Sequence, residues 1–191
     1  FQTHPNTSER IDIIEHMIGR QTKKTDVDPQ DAYQDIKNLL PKVDHQRGTV
    51  SGTVFIHPDF NLSLRVPANW TMGFFHSQSL VSFHTDDLEG QGRLMHVSLS
   101  SHPVTAEQIA HDFGKRNGFY FLSGRPVLYK AGYGYLGRFR GISPRGRLME
   151  YRIFSTVRWG QGFLLLCGAP PDKVESYILD LETIFRNFEF G

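Results

Sequence analysis

The sequence predicts an α+β fold: a mostly antiparallel sheet with helices on one side, preceded by one or two short helices. Three observations lead there. The apolar residues change period from 3.6 to 2 at Thr53. Alternating segments then follow one another through short turns, which favours antiparallel pairing. Two helical stripes, one after Thr105 and one after Pro170, break and close the run.

Residues 6–21 read as a helix. Thr7 or Ser8 serves as its N-cap, Glu9 and Asp12 lie near the positive end of its dipole, and Ile11, Ile14, Met17 and Ile18 form one apolar stripe ending at Gly19. The polar stretch from Arg20 to Pro29 suits a linker. Asp28-Pro29 opens a second short helix with Tyr33, Ile36, Leu39 and Leu40 on one face, closed by Pro41. Residues 42–52 read as irregular. The chain thus divides into 1–24, a linker with a short helix over 25–49, and a domain over 50–191.

Within that domain, Val54–Ile56 reads as a strand and His57-Pro58-Asp59 as a turn. Leu62, Leu64 and Val66 alternate with Ser63 and Arg65 in a half-buried strand that Pro67-Ala68-Asn69-Trp70 stops. Further strands fall at Phe74-Phe75, Leu80–Phe83 and Leu94–Leu99, with Asp86–Gly92 as a turn. Thr105 caps a helix with Ile109, Ala110 and Phe113 inward, and Gly114 and Gly118 end it. Strands return at Val127–Lys130, Gly132–Arg140, Leu148–Val157 and Phe163–Cys167. Pro170-Pro171-Asp172 starts a final helix with Val174, Tyr177, Ile178, Leu181, Ile184 and Phe185 on its buried face. Phe188-Glu189-Phe190 packs back on the sheet.

Composition narrows the function. At 39% hydrophobic and 13% aromatic residues the chain can fill a core, and a net charge of +1 gives no basic field for nucleic acid or an anionic membrane. Neither is expected as a partner. Cys167 is the only cysteine and lies in an apolar run, the setting of a buried hydrophobe and not of a thiolate nucleophile. No His-Glu-x-x-His occurs, and none of the nine histidines pairs with another at i,i+4 spacing, so no zinc is expected on this chain. No paired carboxylate or triad signal appears; a small enzyme would need a deep pocket of convergent polar groups. The glycines of Gly132–Gly141 lie between strands, which suits a twisted or bulged hairpin and not a phosphate cradle. Arginines and aromatic residues interleave from there onward in what reads as a solvated sheet face. Tyr133, Tyr135, Arg138, Arg140, Arg152 and Trp159 are its candidate surface for a protein or peptide partner.

Two segments carry a family likeness. Thr3-His4-Pro5 through Arg10-Ile11 resembles the motif that ends the peptidase domain of zinc metallopeptidases of the HtpX, BepA and type-1 CAAX prenyl protease family. Asp31–Leu39 leading to Phe55-Ile56-His57-Pro58 is similar to the connector that follows that domain in bacterial members. Phe60–Trp70 and the closing helix with Phe-x-Phe are similar to PsbP-like and DcrB-like domains. The resemblance implies that the chain is the end of a peptidase domain plus an accessory domain, with Phe1 an internal point of a longer protein. Zinc and catalysis would then belong to the missing catalytic domain, in a periplasmic or cell-envelope setting. It implies that His4 and Arg10 are a remnant of the active-site rim. The partner would be the chain's own peptidase domain or a protein or peptide, with a dimer through the N-terminal helix as a further option. The alternative is a stand-alone PsbP/DcrB-type binding module with no protease attached. If the first stripe evolved against a missing domain, residues 1–28 exchange their amide hydrogens faster than 50–191; equal protection in both refutes this.

Overall fold

The computed structural model describes residues 48–99 and 103–191. The expected helices over 6–21 and 29–40, with His4 and Arg10, lie outside the described residues. In chain order the strands are β1 (Thr49–Ser51), β2 (Val54–His57), β3 (Leu62–Arg65), β4 (Trp70–Gly73), β5 (Val81–Thr85) and β6 (Gln91–Val97). Helix α1 (Ala106–Arg116) follows, then β7 (Tyr120–Tyr129), β8 (Gly132–Ile142), β9 (Leu148–Arg158), β10 (Gln161–Ala169), α2 (Ile178–Arg186) and β11 (Phe188–Phe190). They form a four-stranded sheet, β1-β2-β3-β11, and a seven-stranded sheet, β4-β5-β6-β10-β9-β8-β7. Neighbouring strands run antiparallel throughout both, and the fold is α+β as the sequence predicts.

The alternation along the strands creates two cores. Phe163, Leu165 and Cys167 of β10 and Phe154 of β9 face the small sheet, where they meet Phe55, Leu62, Leu64 and Phe188 together with Leu181, Ile184 and Phe185 of α2. Leu164 and Leu166 of β10 and Ile153 of β9 face the other way, onto Ile109 and Ala110 of α1 and Phe139 of β8. Each large apolar side chain buried in this way contributes about 1.5–3 kcal/mol. The helices therefore lie on opposite faces of the large sheet and are not gathered on one side. The apolar run of β10 has no polar alternation because both of its faces are covered.

Local chemistry sets the helix starts. At α1 a reciprocal capping box forms: Gln108 N donates to Thr105 Oγ1 at 3.2 Å and Thr105 N donates to Gln108 Oε1 at 2.8 Å. Helix α2 has no side-chain cap, and its first-turn Asp180 accepts instead from Trp70 Nε1 at 2.9 Å and Asn69 Nδ2 at 3.1 Å. That bond gives the Pro67–Trp70 phrase its role: it ties the start of β4 to the start of α2.

Several sequence expectations are corrected. Residues 49–51 are a strand, joined to β2 through a two-residue loop whose first residue, Gly52, has φ +57°, as a type II′ hairpin requires. Three polar residues on an edge carry too short a pattern to show this. Trp70 opens a strand where it was expected to stop one, while Phe74 and Phe75 lie outside any strand and are exposed. Gly114 does not end α1: it sits inside the helix, where an added Cβ would come within 2.7 Å of the Phe139 ring. Strand β7 begins at Tyr120, seven residues before its expected start at Val127. Gly124, Pro126 and a bulge between Phe121 and Ser123 hide it, and the edge position tolerates the proline. Residues 171–177 are turns held by bonds such as Val174 N to Pro170 O at 2.9 Å, so α2 starts at Ile178.

The glycine-rich stretch is β8, the second strand of a hairpin whose first strand, β7, carries the bulge between Phe121 and Ser123. At Gly134 an added Cβ would meet Ser155 O at 2.3 Å and Phe154 Cε2 at 2.4 Å. Backbone and a fully buried ring cannot both retreat. Gly134→Ala is expected to cost about 1–3 kcal/mol by overpacking, read as a lower midpoint in denaturant with an unchanged slope.

Candidate functional site

On the α1 face of the large sheet the helix leaves a groove of ≈ 450 Å³. Register builds its floor. Ser82 on β5 pairs with Arg93 on β6, which pairs with Leu166 on β10, so these three side chains stand in one row on one face. One row along, His84, Gln91, Gly168 and Tyr151 align in the same way. Gly168 supplies no side chain, and the Tyr151 ring lies across it, 2.4 Å from where a Cβ would stand. One bank carries Phe75, His76 and Leu88; the other is the β8–β9 loop Ser143–Arg147.

The electrostatics of the groove are one-sided. Among the described residues no carboxylate lines it, while Arg93, Arg145 and Arg147 do. Arg147 is neutralised by a two-point pair with Glu89, Nη1 to Oε1 at 2.9 Å and Nη2 to Oε2 at 2.8 Å, which links the two banks. The Glu89 turn is itself fixed by Asp87, whose carboxylate accepts from Thr85 Oγ1, from Tyr177 Oη at 2.7 Å and from Glu89 N at 3.0 Å. Those bonds, Thr85 first and Tyr177 next, hold the Asp87 carboxyl down to about 2. Arg93 is different. It is half-buried, its guanidinium lies 5.8 Å from the Phe113 ring centroid, and it has no carboxylate partner among the described residues. Burial pushes its pKa below the usual guanidinium value. Beside it, Ser82 is 3% exposed and its Oγ has no hydrogen-bond partner among the described residues.

Among the described residues the groove brings together no base–nucleophile pair. A serine nucleophile needs a base within hydrogen-bond reach, and the Ser82 hydroxyl is bonded to none among the described residues. His84 spends its Nδ1–H on the Thr85 carbonyl at 2.9 Å. Cys167 is fully buried, and burial pushes its thiol up, so no thiolate is available. No cluster of three His, Cys, Asp or Glu able to hold a metal occurs among the described residues.

The six residues singled out in the sequence do not form one surface. Tyr133 and Tyr135 of β8 face the α1 side, the first 81% exposed and the second buried with its Oη 3.5 Å from His111 Nε2. Arg138, Arg140 and Arg152 point to the opposite face. A period of two is what separates the tyrosines from the arginines. Arg138 donates to Glu150 Oε1 from Nη2 at 2.7 Å and from Nε at 3.2 Å, and Arg140 Nη2 donates to Oε2 at 3.3 Å. Trp159 stands at the tip of the β9–β10 hairpin, 64% exposed at φ +49°, with the Arg158 guanidinium 5.5 Å from its ring. The groove residues Ser82, His84 and Arg93 went unnoticed in sequence. Arg93 stands just ahead of the expected strand Leu94–Leu99, and only the register shows where it points.

Glu150 anchors Arg138 and Arg140 of the opposite face. Burial raises its carboxyl, but the hydrogen bonds and charges of Arg138 and Arg140 outweigh this and hold it below the usual value. A depressed folded pKa contributes stability above the ordinary carboxylate range, and that stability is lost as pH falls through the folded value. Glu150→Gln is expected to lower stability at neutral pH by about 1 kcal/mol, less than a fully buried charged hydrogen bond because both arginines are near half exposed. In urea titrations at several pH values, the gap to wild type should close on acidification.

No protein-family model matches the chain, and no curated protein matches it in sequence. Solved structures do match. The solution structure of cyanobacterial PsbP (CyanoP) from Synechocystis sp. PCC 6803 aligns with a TM-score of 0.55 at 11% identity, over 75% of this chain and 96% of that one. LpqN, involved in cell envelope biogenesis of Mycobacterium tuberculosis, aligns at 0.49 and 15% identity, over 67% and 82% of the two chains. A Bacteroides thetaiotaomicron VPI-5482 protein aligns at 0.46 and 13%, over 74% and 49%. The likeness to CyanoP shows a PsbP-like fold.

Proposed function

We propose that residues 50–191 are a non-catalytic binding module, serving as the C-terminal accessory domain of a zinc-dependent metallopeptidase. It docks on the protease or holds a protein or peptide partner or substrate for it. The observation that carries the binding half is the groove: convergent cationic and polar side chains with no base–nucleophile pair and no metal-ligand set among the described residues. The protease half is supported by the motif from Thr3-His4-Pro5 to Arg10-Ile11, which has the likeness of a peptidase-domain ending. The catalytic domain would supply zinc and hydrolysis; His4 and Arg10 would stand at the rim of its active site. The same likeness implies a periplasmic or envelope-associated setting. Among the described residues no helix is long and apolar enough to cross a membrane.

Purified 1–191 should hold no stoichiometric zinc by metal analysis, cleave no casein, and bind the purified peptidase region of the full-length gene product. One tightly held zinc per chain, or failure to bind in a gene product that contains a His-Glu-x-x-His, overturns the accessory reading.

A further inference from the structure

We infer that the groove beside α1 binds the free C-terminal carboxylate of a peptide whose last side chain is apolar. This rests on the binding-module reading above and names the ligand of that site. Three observations carry it. First, Arg93 is a half-buried cation with an aromatic ring on one side and no carboxylate partner among the described residues. Withdrawing a guanidinium from water without a counter-charge is unfavourable, and an anion delivered from outside supplies the missing charge. Second, the neighbouring Ser82 Oγ in the same row is buried and unbonded among the described residues, so it has a proton to donate to that anion. A guanidinium and a hydroxyl side by side, with Arg145 on the loop above and no carboxylate in the lining, match a planar carboxylate. Third, the apolar side chains of Leu166 and Met149 in the floor and of Phe75 and Leu88 on the bank can take one side chain.

The remaining lining decides between a peptide and an acyl chain. Gln91, Ser143 and His84 place further polar groups along the groove. The amide groups of a peptide backbone can bond to them, whereas an alkyl chain would cover them and leave them unpaired. A peptide end is also chemically apt beside a protease. Hydrolysis of a peptide bond adds water across it and leaves a new carboxylate, which at neutral pH is the anion this groove accepts. The module would then hold cleaved chain ends in preference to uncut chains.

The test is a titration of the full 191-residue chain, followed by calorimetry and amide NMR. The probes are an N-acetylated tetrapeptide ending in leucine, as free acid and as C-terminal amide, with decanoate as the lipid control. The acid should bind at least about tenfold more tightly than the amide, the loss expected for a charged hydrogen bond. It should shift the amide signals of Ser82, Arg93 and Leu166. Arg93→Met, which keeps an apolar stem over Phe113, should weaken the acid about tenfold or more and leave the amide unchanged. If that variant does not fold, Arg145→Gln on the exposed loop should weaken the acid at least about threefold, as loss of a partly exposed charge pair does. Equal binding of acid and amide overturns the proposal, and so does an undiminished affinity in the folded variants. Decanoate binding more tightly than the peptide and displacing it assigns the groove to acyl chains and overturns the peptide reading. Any of these failures with binding to the peptidase region intact leaves the accessory role standing.

Discussion

The structure depends on β10 being buried on both sides. Successive residues from Phe163 to Cys167 alternate between the two cores, and none of them faces water. Such a strand cannot stand at an edge or on a solvated face. It needs a second apolar layer on each side, and the fold supplies the small sheet with α2 on one and α1 on the other. Its neighbours β6 and β9 inherit this arrangement through register. An insertion of one residue in β10 would exchange every side chain between the two cores at once.

The groove follows from the same layering, because the two covers are unequal in size. Seven strands spaced at about 4.8 Å span about 29 Å, and α1 is a rod about 10 Å wide and about 16 Å long for its eleven residues. Centred over β8 and β9, it reaches β6 only at its edge, where Phe113 meets Arg93, and it leaves β5 uncovered. The uncovered part of the face must solve its own solvation. It does so with Arg93, Ser82, His84 and Tyr151, and with the Arg147–Glu89 link between its banks. The site is thus where the helix runs out. The sheet itself has no special feature there.

Much of this could be read in the sequence, and what could not has identifiable causes. Strands with clean alternation, such as Leu62–Val66, and helices with full stripes, such as the one after Thr105, were legible because one-sided burial leaves a periodic trace. The two-sided burial of β10 erased that trace, so the division of the helices between two faces was invisible. Gly114 reads as a helix end in sequence, yet it makes room for Phe139. The proposed partner surface failed to assemble for a simpler reason. Adjacent positions on a strand face opposite ways, so interleaved Tyr and Arg become two surfaces, and two of the three arginines, Arg138 and Arg140, are occupied by Glu150. Arg93 was legible only as an oddity, since its neighbours come from β5 and β10, about ten and seventy residues away.

The last feature concerns time. Strand β11 completes the small sheet by pairing with β3, and the Ser63–Glu189 contact across that pair closes a loop of 126 residues. Such a closure is entropically slow to nucleate, whereas the β7–β8–β9–β10 ribbon forms from consecutive hairpins and can organise early. Until β11 docks, Leu62, Leu64 and Phe55 have an unprotected edge beside them. A folding chain would therefore pass through a state with a finished large sheet and an open, sticky small one. In that interval a chaperone, or a second copy exchanging its β11, has access to the first core.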